Sequence, residues 1–167
     1  MSIIQHPDQR VGIFIDTQNL YHSARNLYNK KVDFSKVVKV ALAKRRLIRA
    51  IAYVITTEAG DETMFVEALS KMGVEAKAKD LQVFPGGVKK ADWDVGIAVD
   101  SITLAPKLDV VVLVTGDGDF VAAVYYLKML GCQVEVVTFG QSCSSRLRES
   151  VDLFTDLSES PKDFLLG

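Results

Sequence analysis

Residues 109–115 read D-V-V-V-L-V-T, a strand-sized run too apolar to face water on either side. Such a run is stable as an interior strand covered on both faces, which is the habit of a parallel sheet. The rest of the chain keeps the same rhythm. Residues 11–15 are a short apolar run and 48–55 a β-branched one. Residues 74–84 read as a third strand or a pair of short ones, ending at Pro85-Gly86-Gly87. Residues 134–139 read as the last full strand, and 151–154 as an edge strand. Helical stretches fall between them. Leu20, Ala24 and Leu27 recur at helical spacing within 17–28, and 34–44 is a second amphipathic helix. A loop at 56–60 leads into a helix over 62–72, which Gly73 closes. The helix predicted over 94–104 carries Val95, Ala98, Val99 and Ile102 on its apolar side. Residues 120–130 form another helix, closed by Gly131, and 142–150 a short one. Strands alternating with helices predict an α/β fold with a central, mostly parallel sheet covered on both faces.

At 167 residues the chain suits one domain, 1–167, with its core over about 11–157. The first ten residues and those after Ser158 read as polar tails. With 20 Lys and Arg against 21 Asp and Glu, the whole molecule exerts no pull on phosphate polymers, so any nucleic-acid binding needs a local basic patch. No apolar run approaches the ~18 residues of a membrane helix. The start, MSIIQHPDQR, lacks the pattern of a signal peptide, so a cytoplasmic location is expected. Cys132 and Cys143 form no CxxC pair and read as reduced thiols.

In parallel sheets ligands bind beyond the carboxyl ends of the strands. Two of those ends are acidic here. The first strand ends Phe14-Ile15-Asp16, with Asn19 shortly after, and the fourth runs Thr115-Gly116-Asp117-Gly118-Asp119-Phe120. The helix over 94–104 adds Asp94 and Asp100, whose six-residue spacing sets them ~120° apart around the axis. Asp94 is therefore the one expected to point into a shared site, with Asp100 supporting it. Gathered carboxylates repel one another unless a cation sits among them. Hard divalent ions suit such oxygen ligands, whereas zinc would want His or thiolate. Taken singly, Asp16, Asp92, Asp94, Asp117 and Asp119 each have a plainer reading as helix caps or turn residues.

FIDTQNLY, DVGIAVDSI, LVTGDGDF and SSRLRESVDLFTDL, in that order, resemble the NYN domain, and within it the LabA-like (DUF88) branch of the PIN-related nucleases. The resemblance runs from about Val11 to Leu157. It implies a PIN-like three-layer α/β/α sandwich and metal-dependent ribonuclease chemistry on RNA with Mg2+ or Mn2+. By motif, Asp16 would be the central metal ligand, Asn19 would contact water or phosphate, and Asp94 with Asp100 would be the acidic residues of the helix. Asp117 and Asp119 would be the acidic pair of the turn, which Thr115 orients through its hydroxyl. Relatives often carry K-G-x-D before the helix; here Lys89-Lys90-Ala91-Asp92-Trp93-Asp94 is one residue longer. Lys90 would still reach a phosphate, and Asp92 competes with Asp94.

The expected function is a metal-dependent endoribonuclease, with Asp16, Asn19, Asp94, Asp117 and Asp119 at its centre. Lys90, Thr115, Trp93 and Arg146 are the candidate substrate-binding residues. The alternative is a non-catalytic regulatory module that binds RNA or protein. A haloacid-dehalogenase-type phosphatase places its DxD after the first strand, and a Toprim-like domain needs an early Glu, so both fit less well. Single-stranded or structured RNA is the expected partner, and the resemblance makes a homodimer the expected assembly. Further basic candidates for an RNA groove are Lys30, Lys31, Arg45, Arg46, Lys89 and Arg148. Trp93 is the aromatic most exposed to stacking on a base, while Tyr21 and Tyr28 read as core. His6 and His22 read as bystanders.

Overall fold

The computed structural model describes residues 5–56, 62–83, 85–87, 89–90 and 92–167, with 82–83 and 89–90 by their backbone. In chain order, β1 (Arg10–Asp16) leads into α1 (Thr17–Tyr28), β2 (Lys31–Val32) and α2 (Phe34–Leu42). Then come β3 (Arg46–Thr56), α3 (Glu62–Lys71), β4 (Glu75–Asp80), β5 (Gln82–Val83), β6 (Lys89–Lys90) and α4 (Asp94–Leu104). The second half holds β7 (Val110–Val114), α5 (Val121–Met129), β8 (Gln133–Thr138), α6 (Ser145–Ser150), β9 (Leu153–Asp156) and β10 (Leu165–Leu166).

Six strands form one sheet in the order β4-β3-β1-β7-β8-β9. Every neighbouring pair in it is parallel. Its central strands carry apolar side chains on both faces, which is why they read as unbroken apolar runs. Ile13 and Ile15 of β1, with Val110, Val112 and Val114 of β7, pack with Leu20, Val37 and Leu69 of α1, α2 and α3. Phe14, Val111 and Leu113 pack on the opposite side with Ile97, Val124 and Leu127 of α4 and α5 and with Leu147 of α6. The result is a helix–sheet–helix sandwich, as the sequence predicts. Each large side chain fully buried in these layers contributes roughly 1.5–3 kcal/mol. Gly12 permits the close approach of one layer, since a Cβ there would lie 2.5 Å from Leu108 Cδ1.

Several expectations are corrected. α2 stops at Leu42 because Ala43 and Lys44 turn left-handed, at φ 52° and 59°. The helix expected from residue 120 begins at Val121, after a 3₁₀ turn over Gly118–Phe120. The short helix begins only at Ser145, capped by the Ser144 hydroxyl. The segment 74–84 divides into β4 and β5, and β5 pairs with β6 as a small antiparallel ribbon. Most of the loop expected over 56–60 lies outside the described residues. Among the described residues neither Arg10 nor the segment after Ser158 belongs to a simple tail. Arg10 opens β1 and bonds Asp109 through its guanidinium, 3.1 Å away. β10 pairs antiparallel with β2, and Phe164 and Leu165 pack on the core.

Arg45, a basic candidate from the sequence, is buried instead. Its guanidinium lies 2.8 and 2.9 Å from the two oxygens of Glu135 and donates also to the carbonyls of Ala41 and Leu42. No helix among the described residues is long and apolar enough to cross a membrane.

Candidate functional site

From β1 the chain winds outward to β3 and β4, returns through α4 to β7 beside β1, then winds the other way to β8 and β9. The reversal leaves a crevice at the carboxyl ends of β1 and β7, where open parallel sheets receive their ligands. Asp16 ends β1 and Thr115 follows β7, so the two acidic segments of the sequence meet there. Helix starts supply the remaining groups, because α1, α4 and the 3₁₀ turn before α5 all open at this end.

Hydrogen bonds tie the segments together. Asp16 caps α1, its Oδ1 accepting from the Asn19 amide at 3.3 Å, while its Oδ2 accepts from the Thr115 hydroxyl at 3.2 Å. The same hydroxyl accepts from the Asp117 amide at 3.2 Å. Asn19 Oδ1 accepts from the Gly116 amide at 2.8 Å, and Asp117 Oδ1 from the Asp119 amide at 2.9 Å. The plainer reading of Asp16 and Asp117 as caps therefore holds, and both also wall the crevice. Thr115, expected to touch substrate, is buried with its hydroxyl held between Asp16 and the turn, so it positions them rather than facing a ligand.

The crevice is a cavity of about 310 Å3 lined by Asp16, Asp92, Asp94, Asp117, Asn19 and Gln18, with Ile55 and Trp93 as apolar walls. Carboxylate oxygens of Asp94, Asp117 and Asp119 all lie within 4.8 Å of one another. Asp16 stands outside that trio but shares the cavity with Asp94 and Asp117, while Asp119 is exposed beside it. Among the described residues no Lys, Arg or His lines the cavity. Crowding shows in the proton affinities. Burial, then repulsion from Asp117 and Asp16 and a proton shared with Asp117, pushes Asp94 up to about 7. Asp16 is also raised, chiefly by burial, although its bonds from Asn19 and Thr115 pull the other way.

The structure does not bring Asp100 into the cluster. Its Oδ2 accepts from the Tyr53 hydroxyl at 2.8 Å and from Lys77 Nζ at 2.7 Å. Burial and this bond raise the Tyr53 phenol, which stays a donor. Trp93, read as a loop residue that stacks on bases, is packed into the fold. Its Nε1 donates to the Val54 carbonyl at 3.1 Å, its ring lies 5.2 Å from that of Tyr53, and Lys79 Nζ sits 4.3 Å above it. Gly96 makes room for that ring, since a Cβ would lie 2.6 Å from Trp93 Cε3. Trp93 thus fixes the start of α4, and with it Asp94. Asp92 shares the cavity but also accepts from the Asp94 amide at 3.2 Å.

Arg146 is exposed on α6 and does not line the cavity. The Arg148 guanidinium lies 4.4 Å from the Phe154 ring. The side chain of Lys90 lies outside the described residues. Gln18 and Ile55 went unnoticed in the sequence. The signals for them were position alone: Gln18 lies between Asp16 and Asn19 on the first turn of α1, and Ile55 lies at the carboxyl end of β3.

Residues 10–158 match the family model for the NYN domain. Over 159 residues the chain is 27% identical to low amplitude and bright protein LabA of Synechococcus elongatus, covering 90% of this chain and 84% of LabA. It also resembles a crystal structure of a protein of unknown function from Vibrio parahaemolyticus, with a TM-score of 0.86 and 31% identity over 98% of this chain and 100% of that one. With its four motif blocks in order on a six-stranded parallel sheet, the chain belongs to the NYN domain family, a nuclease-like group.

Proposed function

We propose that this protein is a metal-dependent endoribonuclease that hydrolyses RNA phosphodiester bonds in the acidic crevice, using Mg2+ or Mn2+. The observation that carries this reading is the approach of Asp94, Asp117 and the exposed Asp119 to within 4.8 Å, with Asp94 and Asp117 lining the same cavity as Asp16 and no cationic side chain lining it among the described residues. An all-oxygen donor set of this kind fits a hard divalent ion and not zinc. Asp94, Asp117 and Asp119 would hold the ion, with Asp16 as the fourth carboxylate. When bound, it supplies positive charge against the phosphate and lowers the pKa of the attacking water.

The chain's own residues set the geometry. Thr115 and Asn19 hold the acidic turn against the end of β1. Asn19 spends its side-chain carbonyl on that turn, which leaves its amide N–H group as a donor toward a phosphate oxygen. Lys90 and Arg146 remain candidates for contacting the strand further along. A cytoplasmic location and a homodimer accompany the reading as what the family resemblance implies.

Purified protein with a mixed-sequence single-stranded RNA tests it. Cleavage is expected with Mn2+ or Mg2+, and is lost in EDTA and in both Asp16→Asn and Asp117→Asn. RNA binding without cleavage in either metal would assign a binding module instead, and cleavage surviving both substitutions would place the chemistry elsewhere.

A further inference from the structure

A second cavity, of about 470 Å3, adjoins the acidic one, and Gln18 and Ile55 line both. The chemistry changes across that shared wall. Beyond it stand Tyr21 of α1, Phe34 of α2 and Phe65 of α3, with Glu62 of α3 and exposed Lys31 of β2 also on the lining. Phe34 and Phe65 meet edge to face, 5.2 Å between ring centres. Two side chains here remain accessible. Tyr21 is 40% exposed although it sits over an apolar groove. The Gln18 side-chain amide has no hydrogen-bond partner among the described residues.

Aromatic walls accept the π-face of any base, and an amide with a free donor and a free acceptor matches a base edge. The Lys31 cation on the lining suits a further phosphate along a strand. We infer that this groove holds one unpaired nucleobase of the RNA strand whose phosphate lies in the acidic crevice. The inference rests on the proposed function, and it deepens it. A base seated between Tyr21 and Phe65 is out of its stack, so the preferred substrate is single-stranded rather than duplex RNA. Continuity through Gln18 and Ile55 favours the nucleotide over an apolar peptide, because only the nucleotide carries a phosphate into the neighbouring crevice.

The test is calorimetric titration of the full chain, with Mg2+ present, using adenosine 5′-monophosphate and ribose 5-phosphate, which differ by the base alone. The nucleotide is expected to bind about tenfold more tightly, the scale of one base stacking on an aromatic ring. That advantage should vanish in Tyr21→Ala, shrink in Gln18→Ala and survive in Tyr21→Phe, with thermal melts confirming that each variant is folded. Equal binding of the two ligands to the unmodified protein overturns the groove while leaving the phosphate site standing, and is also the outcome if an apolar peptide is the true occupant. An advantage that persists in both alanine variants overturns it too. Binding of neither ligand removes the groove and the proposed function together.

Discussion

Asp94→Asn should stabilise the protein when no divalent ion is present. Asp94 is crowded by burial, Asp117 and Asp16, which lifts its pKa from 3.8 to about 7. Fully felt, that lift corresponds to about 4 kcal/mol between the protonation states. Asp94 is only half-buried, and water screens its neighbours, so ~1–2 kcal/mol is the expected share. The sign follows from proton binding. Between roughly pH 4 and pH 7 the folded chain holds a proton on Asp94 that the unfolded chain has released, so stability falls as pH rises through that window and is lowest above it. Asparagine keeps the shape and removes the charge. Thermal melts in EDTA should show the variant melting higher by roughly 2–8 °C at about pH 8, with the difference closing toward about pH 4. Added Mg2+ or Mn2+ should then raise the melting temperature of the unmodified protein more than that of the variant. A variant that melts lower than the unmodified protein at about pH 8 in EDTA, or an equal gain at both pH values, would mean that Asp94 carries no such repulsion.

Thr115→Val removes the hydroxyl that donates to Asp16 and accepts from the Asp117 amide, both at 3.2 Å. It should destabilise by about 1–3 kcal/mol in urea unfolding and weaken divalent binding, since the Asp16 carboxyl loses a bond that lowers its pKa. Arg45→Met leaves Glu135 buried and uncompensated, at a loss of about 3–5 kcal/mol in the same assay. Pairing it with Glu135→Leu should recover most of that loss, and a double variant no more stable than the single one would mean that the site needs the charge pair itself.

The sheet was legible because its interior strands are apolar on both sides, as in Val110–Val114, and because Gly73 and Gly131 mark where helices stop. The acidic crevice was legible for a related reason: in an open parallel sheet the carboxyl ends converge, so Asp16 and Asp117 had to lie near one another. What stayed hidden depended on distant partners. Nothing around Lys31–Val32 announces that Leu165–Leu166 will pair with it. The polar stretch before Phe164 gave the C-terminal segment the look of a tail, although that ring reaches the core. Arg45 reads as surface by residue type, and only Glu135, ninety residues on, explains its burial. Trp93 lies among polar neighbours in the sequence, so its packing on Tyr53 and its bond to Val54 could not be seen locally. Asp100 was placed on its helix correctly, yet its true partners come from β3 and β4.

Because the crevice lies where the two windings of the sheet meet, neither winding contains it alone. Asp16 and Asn19 come from the first winding, Asp117 and Asp119 from the second, and Asp94 from the helix that carries the chain between them. The carboxylates are therefore brought together only by the pairing of β7 with β1, so their repulsion opposes that pairing. The electrostatic penalty falls on the contact between the windings and not on the strand pairing within either one. A divalent ion would then act as a latch on the finished sheet, slowing its opening more than it speeds its formation.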